Sequence, residues 1–180
     1  MLDPDIGLLI VAGTAMLLMS ASLHKWRALP EFEQVLAAYR VVPGSWLVPL
    51  ARLLPALEWA IAAGLAFPAA RPCSALAGAA LLLAYAGGIA INLGRNRLDL
   101  DCGCSGPSAR RPIAAWMVVR NVLLAVLLAC AAAPWETRPL AMSDWVTVGG
   151  GLAVVVLLYL ATDRLLGQII PRGAALRRPS

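Results

Sequence analysis

Two cysteines separated by one glycine are the residues of this chain best suited to chemistry. Cys102 and Cys104 stand in a stretch rich in Gly, Ser, Pro and Asp, which is typical of an exposed turn. A disulfide needs Cα atoms within about 7 Å, and an extended three-residue segment lies near that limit. Gly103 has no Cβ and can adopt the backbone angles that tighten the turn. The resulting ring would be small and strained, which favours thiol–disulfide exchange over a structural role.

Two other interpretations of this motif stay open on the residues alone. The cysteines could be loop thiols without a role, or half of a site for zinc, copper(I) or an iron–sulfur cluster, because these metals prefer thiolate ligands. Such sites take three or four ligands, and no second Cys/His pair is expected on that face, so no metal is predicted. The sequence has no quinone, flavin or nucleotide motif, so no cofactor is predicted either.

Cys73 and Cys130 are the other two of the four cysteines. A helical hairpin that turns at the Cys-Gly-Cys loop brings them to nearly the same depth, at the face opposite that loop. They are therefore candidates for a second redox pair. Cysteines on apolar faces are more often plain packing residues, and equal depth does not fix the direction in which a side chain points.

The composition of the 180-residue chain indicates an integral membrane protein. Hydrophobic residues make up 61% of it and charged residues 14%, against about 45–50% and about 25% in soluble globular proteins. The mean hydropathy is +0.77. So few charges cannot cover so apolar a chain in water, which argues against a disordered chain and a water-soluble enzyme. The expected fold is an all-α, polytopic bundle of about five transmembrane helices.

Five apolar segments are long enough to cross about 30 Å of hydrocarbon, which takes roughly 20 helical residues. They are residues 6–23, 53–70, 72–94, 113–135 and 145–162. The short, proline-containing turn between the second and third segments predicts that these two pack as an antiparallel hairpin. We expect a single transmembrane domain over 1–167 and a basic cytoplasmic tail over 168–180.

Residues 30–42 differ from these spans because their apolar residues recur at helical spacing among polar ones. The recurring residues are Phe32, Val35, Leu36 and Tyr39. This pattern predicts a short amphipathic helix that lies at the membrane surface.

The basic residues are strongly asymmetric between the two sides of the predicted bundle. Arg71 and Arg138 flank the spans on one side, and the other side holds twelve: Lys25, Arg27, Arg40, Arg52, Arg95, Arg97, Arg110, Arg111, Arg164, Arg172, Arg177 and Arg178. The positive-inside rule then predicts a periplasmic N-terminus, a cytoplasmic C-terminus and a cytoplasmic Cys-Gly-Cys loop in the cell inner membrane. No basic-aromatic surface points to nucleic acid.

Glu58 and Arg120 are the two charged residues deep inside predicted spans. An unpaired charge at the bilayer centre costs at least about 2.5–3.5 kcal/mol. Hairpin geometry puts Glu58 level with residue 84 and Arg120 level with residue 86. We therefore predict an intramembrane Glu58–Arg120 pair, with snorkelling of Arg120 to the headgroups as the alternative.

Several of these segments resemble the MauE family, a group of methylamine utilisation membrane proteins within the broader DoxX-like group. The resemblance begins with His24-Lys25-Trp26-Arg27 and Tyr39-Arg40. It continues through the span that contains Glu58 and ends in Asp101-Cys102-Gly103-Cys104. It implies a role in maturation of the disulfide-rich small (beta) subunit of periplasmic methylamine dehydrogenase, together with a thioredoxin-like partner, MauD. It also makes Cys102 and Cys104 the candidate redox residues of a thiol–disulfide oxidoreductase.

Two other functions remain as alternatives. One is a non-enzymatic membrane chaperone or export factor for the same subunit, in which the thiols are idle. The other is a small DoxX-like transporter that uses Glu58 and Arg120.

Overall fold

The computed structural model describes residues 2–98, 100, 112–136 and 138–175; from residue 163 onward it describes the backbone alone, apart from Leu165. This part of the chain folds into six α-helices and a single 3₁₀ turn at Gly44–Trp46. The helices are α1 (Pro4–Arg27), α2 (Leu29–Tyr39), α3 (Leu47–Ala66), α4 (Arg71–Gly94), α5 (Ala115–Ala131) and α6 (Met142–Ala175). No β-strand forms within the described ranges, and the predicted all-α fold is confirmed.

Four segments are long and apolar enough to cross a membrane: α1, Gly44–Ala66, α4 and the Met142–Thr162 part of α6. Helix α5 is also apolar, and its 17 residues are at the lower end of the length that can cross. The structure therefore fits a helical membrane bundle.

Most helix ends differ from the predicted bounds by up to four residues, and two differ by more. Helix α3 begins at Leu47 instead of residue 53, because a single arginine, Arg52, does not stop a helix whose flexible cation can extend to water. The backbone of α6 stays helical to Ala175, past the predicted end of the span at 162 and past the predicted start of the tail at 168.

The helices pack into a bundle whose core uses small residues at the crossings. Helix α4 packs most extensively on α5, and α1 packs on α3; α6 contacts α1. Gly78 of α4 shows how close these contacts are, because a Cβ there would lie 2.6 Å from a methyl of the fully buried Leu128 in α5. Small residues let helix backbones approach closely in membranes, where packing drives association. The predicted α3–α4 hairpin is present, closed by the Arg71 amide on the Phe67 carbonyl at 2.9 Å.

The two ends of the bundle carry different contacts. At the end that we call the N-terminal end, the Leu2 amide donates to the Pro134 carbonyl and the Glu136 amide donates to the Leu2 carbonyl, both at 3.0 Å. At the other, which we call the α2 end, Arg95 after α4 donates to the carbonyl of Arg40 at 3.4 Å. Helix α2 lies here, so the predicted amphipathic helix is present, although it ends at Tyr39.

Candidate functional site

The predicted redox residues Cys102 and Cys104 lie outside the described residues. The chain enters and leaves that segment at the α2 end of the bundle. There the amide of Ile113 donates to the carbonyl of Leu100 at 2.9 Å. Both residues pack against a small apolar cluster that includes Ile89 of α4. The described residues on either side of the motif are thus tied to each other and to the bundle.

Cys73 and Cys130 are free thiols with exposed side chains, and no disulfide joins them. Cys73 is in the first turn of α4 and Cys130 is in the last turn of α5. On the surface of a membrane bundle, such exposed side chains face lipid or the membrane boundary. A redox role for these two residues stays a prediction.

Glu58 of α3 is fully buried and forms an ion pair with Lys25 of α1. Both carboxylate and ammonium are almost completely inside the bundle, with side-chain exposures of 1% and 4%. Tyr85 of α4 completes the group: its hydroxyl donates to Glu58 Oε1 at 2.7 Å and accepts from Lys25 Nζ at 3.1 Å. The ammonium also lies 4.6 Å from the centre of the Tyr85 ring, a cation–π contact. We call these three residues the buried triad.

The predicted ion pair between Glu58 and Arg120 is wrong. Arg120 of α5 donates instead to the hydroxyl of Tyr159 in α6 at 3.0 Å, and its guanidinium lies 5.2 Å from the Trp116 ring. Helix rise fixes the depth of a residue, but rotation about the helix axis decides its neighbour. Glu58 contacts α1 and α4, whereas Arg120 contacts α6. The depth of Glu58 is as predicted, because its partner Tyr85 is next to residue 84.

Sequence reasoning missed Lys25 as a buried residue. Its position in the last turn of α1, beside Arg27, is typical of a charge at the membrane boundary. The signal that could have identified it is that the buried Glu58 requires a cation, and a long lysine stem can bring its ammonium into the bundle from a boundary position. Ser22, one turn earlier on α1, supports the same contact by donating to the carbonyl of Pro55 at 2.8 Å.

A cavity of about 340 Å³ adjoins the buried triad at the α2 end. Lys25 and Tyr85 form its polar end, and the rest of the wall is nearly all apolar. Phe32 and Tyr39 of α2 cover it, and Gly88 of α4 lies on the opposite wall. Its volume is in the range of small-molecule sites, about 300–1,000 Å³.

At the N-terminal end, Arg138 joins three carboxylates. Its guanidinium lies 3.5 Å from Asp3, 3.2 Å from Asp5 and 2.6 Å from Asp144. The hydrogen bond to Asp144 raises the pKa of Arg138 above its ordinary value, and the other two carboxylates add to this effect. The cluster holds the N-terminus against the loop before α6.

Known proteins resemble this chain over most of its length. The family model "Methylamine utilisation protein MauE" matches residues 4–135, which contain the buried triad, the cavity wall and the Cys-Gly-Cys motif. A methylamine utilization protein MauE of Methylophilus methylotrophus is 34% identical over 167 residues, which cover 92% of this chain and 88% of that protein. Those of Paracoccus denitrificans and Paracoccus versutus are 36% and 38% identical over 154 residues, 85% of this chain and 83% of each relative. No solved structure matches. The chain belongs to the MauE family of methylamine utilisation proteins.

Proposed function

We propose that this protein supports maturation of the small (beta) subunit of methylamine dehydrogenase by thiol–disulfide exchange at Cys102 and Cys104. The single observation that carries the proposal is the Cys-Gly-Cys sequence in a chain of the MauE family. The hydrogen bond and packing of Leu100 and Ile113 support it, because they anchor both ends of the motif's segment to the bundle. A redox pair that meets another protein benefits from such an anchored position.

The exchange itself needs only the two thiols and a partner with a disulfide or dithiol. One thiolate attacks a sulfur of the partner's disulfide, which forms a mixed disulfide and expels the other partner sulfur as a thiolate. The second thiolate of the pair then attacks the mixed disulfide and releases the partner as a dithiol. The reverse sequence oxidises a partner dithiol and reduces the pair. A thioredoxin-like protein of the MauD type and the beta subunit are the proposed partners.

We place the protein in the inner membrane with a periplasmic N-terminus and a cytoplasmic C-terminus, following the bias of basic residues. The motif is then cytoplasmic and its client periplasmic. Cys73 and Cys130 could receive electrons at the periplasmic side. Between Cys73 and Gly94 the helix α4 is about 30 Å long, so direct exchange between the two pairs requires a carrier or a large motion.

The experiment that tests the proposal is replacement of both motif cysteines in a strain that lacks the native gene. We expect Cys102→Ser/Cys104→Ser to abolish growth on methylamine and to leave the beta subunit with unpaired thiols. The measurement is dehydrogenase activity together with thiol labelling of the beta subunit. Cys73→Ser/Cys130→Ser is the comparison variant, because it removes the same number of thiols from the same chain and tests the second pair separately.

Each outcome decides between the candidates. Active, fully oxidised dehydrogenase in the Cys102→Ser/Cys104→Ser strain would contradict the proposal and favour the chaperone or export factor. Loss of activity in both double variants would indicate a relay through Cys73 and Cys130. The transporter alternative would require Glu58 and Arg120 to act separately, because they belong to separate contacts, and it predicts transport activity that is lost in Glu58→Gln.

A further inference from the structure

We propose that the cavity beneath α2 holds an acyl chain of an anionic phospholipid, and that the phosphate of this lipid binds between Arg40 and Arg95. This inference is independent of the thiol chemistry. It rests on the shape of the cavity, on two arginines beside it and on an unusual backbone conformation at one of them.

The cavity suits a hydrocarbon chain better than a polar ligand. Its volume is about 340 Å³, and apart from Lys25 and the two tyrosine hydroxyls its wall consists of apolar groups. The charge of Lys25 is balanced by Glu58, so the cavity's polar end offers no net charge to a small anion. Burying an acyl chain there is favourable, because each CH₂ group that enters the cavity leaves water.

The anionic group is argued from the rim of the cavity. Arg40 precedes Val41 and Val42, which line the cavity, and Arg95 donates to the Arg40 carbonyl at 3.4 Å. Both arginines are exposed, and no carboxylate in the described part of the chain lies within ion-pair distance of either. Arginines at one rim that meet no carboxylate of the described residues attract a phosphate, which each guanidinium can bind through two parallel hydrogen bonds.

The backbone of Arg40 is a second, independent observation. This residue ends α2 in the left-handed region, with φ of 48° and ψ of 39°. Glycine or asparagine is usual at such a position, because other residues meet steric strain there. This strained residue directly precedes Val41 and Val42, which line the cavity, and strained residues cluster at ligand contacts.

The position in the bilayer identifies a lipid as the source of the phosphate. The amphipathic helix α2 lies at the membrane boundary, where a lipid bound with its chain in the cavity has its phosphate at the level of the arginines. The acidic residues of α2, Glu31 and Glu33, lie about 10 Å or more from Arg40 along the helix and leave its last turn cationic. Anionic lipids are drawn to such basic clusters.

The test compares phosphatidylglycerol with phosphatidylcholine of the same acyl chains, added to the full-length protein in detergent. Native mass spectrometry counts the bound lipids, and the melting temperature reports their stabilisation. We expect phosphatidylglycerol to bind preferentially. Arg40→Gln/Arg95→Gln should weaken that binding about thirtyfold, from the typical contribution of two basic residues near a membrane surface. Arg27→Gln/Arg52→Gln removes the same charge from two other exposed arginines, and it should leave phosphatidylglycerol binding nearly unchanged.

A second pair of variants tests the cavity. Gly88→Leu puts a side chain into it, whereas Gly87→Leu, one residue earlier, has no atom within 4 Å of the added Cβ. We expect Gly88→Leu to lower binding of both lipids about tenfold, and Gly87→Leu to behave like the unmodified protein. If Gly88→Leu does not fold, Ala84→Phe fills the same cavity from another part of its wall.

Four results would overturn the proposal. Equal binding of the two lipids would mean that the arginines do not select the headgroup. Equal effects of the two arginine variants, or undiminished lipid binding to a folded cavity-filling variant, would mean that the site is elsewhere. Competition by inorganic phosphate at the concentrations of added lipid would indicate a simple anion site without an acyl chain.

Discussion

At the scale of single residues, the buried triad of Lys25, Glu58 and Tyr85 is the costliest feature of the bundle. Taking an ammonium and a carboxylate out of water costs several kcal/mol for each ion. The ion pair, two hydrogen bonds from or to Tyr85 and a cation–π contact offset that cost. Such a pair adds little net stability, but loss of one partner leaves an uncompensated buried charge. The triad therefore fixes how α1, α3 and α4 meet.

We expect Lys25→Met to destabilise the protein by about 3–5 kcal/mol, because Glu58 then stays buried without its cation. Lys25→Met/Glu58→Gln should recover most of that loss, since it removes both charges and keeps the volumes similar. Thermal unfolding of the unmodified protein, Lys25→Met, Glu58→Gln and the double variant in the same detergent gives a double-mutant cycle.

Tyr85→Phe is the matched variant for the hydroxyl alone. It should cost about 1.5–3 kcal/mol, the usual range for a hydrogen bond to a charged group. Additive effects of Lys25→Met and Glu58→Gln would show that the two side chains do not act as a pair. Equal stability of Tyr85→Phe and the unmodified protein would remove Tyr85 from the triad.

At the scale of helices, the positions of elements along the membrane normal were predictable and their rotations were not. Apolar length and helix rise gave the spans, the α3–α4 hairpin and the depth of Glu58, because these depend on local sequence alone. The amphipathic pattern around Phe32 likewise gave α2. The direction of Glu58 depends on which faces of three helices pack together, so one sequence could not show that its partner is Lys25 instead of Arg120.

The α4–α5 crossing gives a prediction at the same scale. Gly78→Ala should destabilise the bundle by about 1–3 kcal/mol, the range for overpacking, because the new methyl would lie 2.6 Å from the fully buried Leu128 side chain and 3.2 Å from Ile61 Cγ2. Gly87→Ala, on the same helix with open space around its Cβ, is the control. It should be neutral or stabilising, since alanine favours helix over glycine by about 1 kcal/mol. Melting temperatures in detergent that fall equally for both variants would rule out the close crossing as the cause.

At the scale of the whole molecule, backbone contacts show that α5 runs from the α2 end of the bundle to the N-terminal end. The residue pair Leu100 and Ile113 joins the start of α5 to the end of α4, at the α2 end. Pro134 and Glu136, just after α5, pair with Leu2 at the N-terminal end. A helix of 17 residues is about 26 Å long, which is close to the hydrocarbon thickness. We therefore expect α5 to cross together with α1, α3, α4 and α6, and five crossings would put the two termini on opposite sides of the membrane.

The last prediction is therefore a labelling pattern for the whole chain. In a background without native cysteines, Met142→Cys marks the N-terminal end at a residue that is 84% exposed, and Ser45→Cys marks the α2 end. We expect an impermeant maleimide to label Met142→Cys in spheroplasts. Ser45→Cys and Ser180→Cys should react only after permeabilisation, because the positive-inside rule puts the side that is richer in basic residues in the cytoplasm. The reverse pattern would mean that the charge bias does not orient this protein. Labelling of Met142→Cys and Ser45→Cys from the same side would mean that α5 does not cross, since a crossing α5 separates the two positions by the thickness of the membrane.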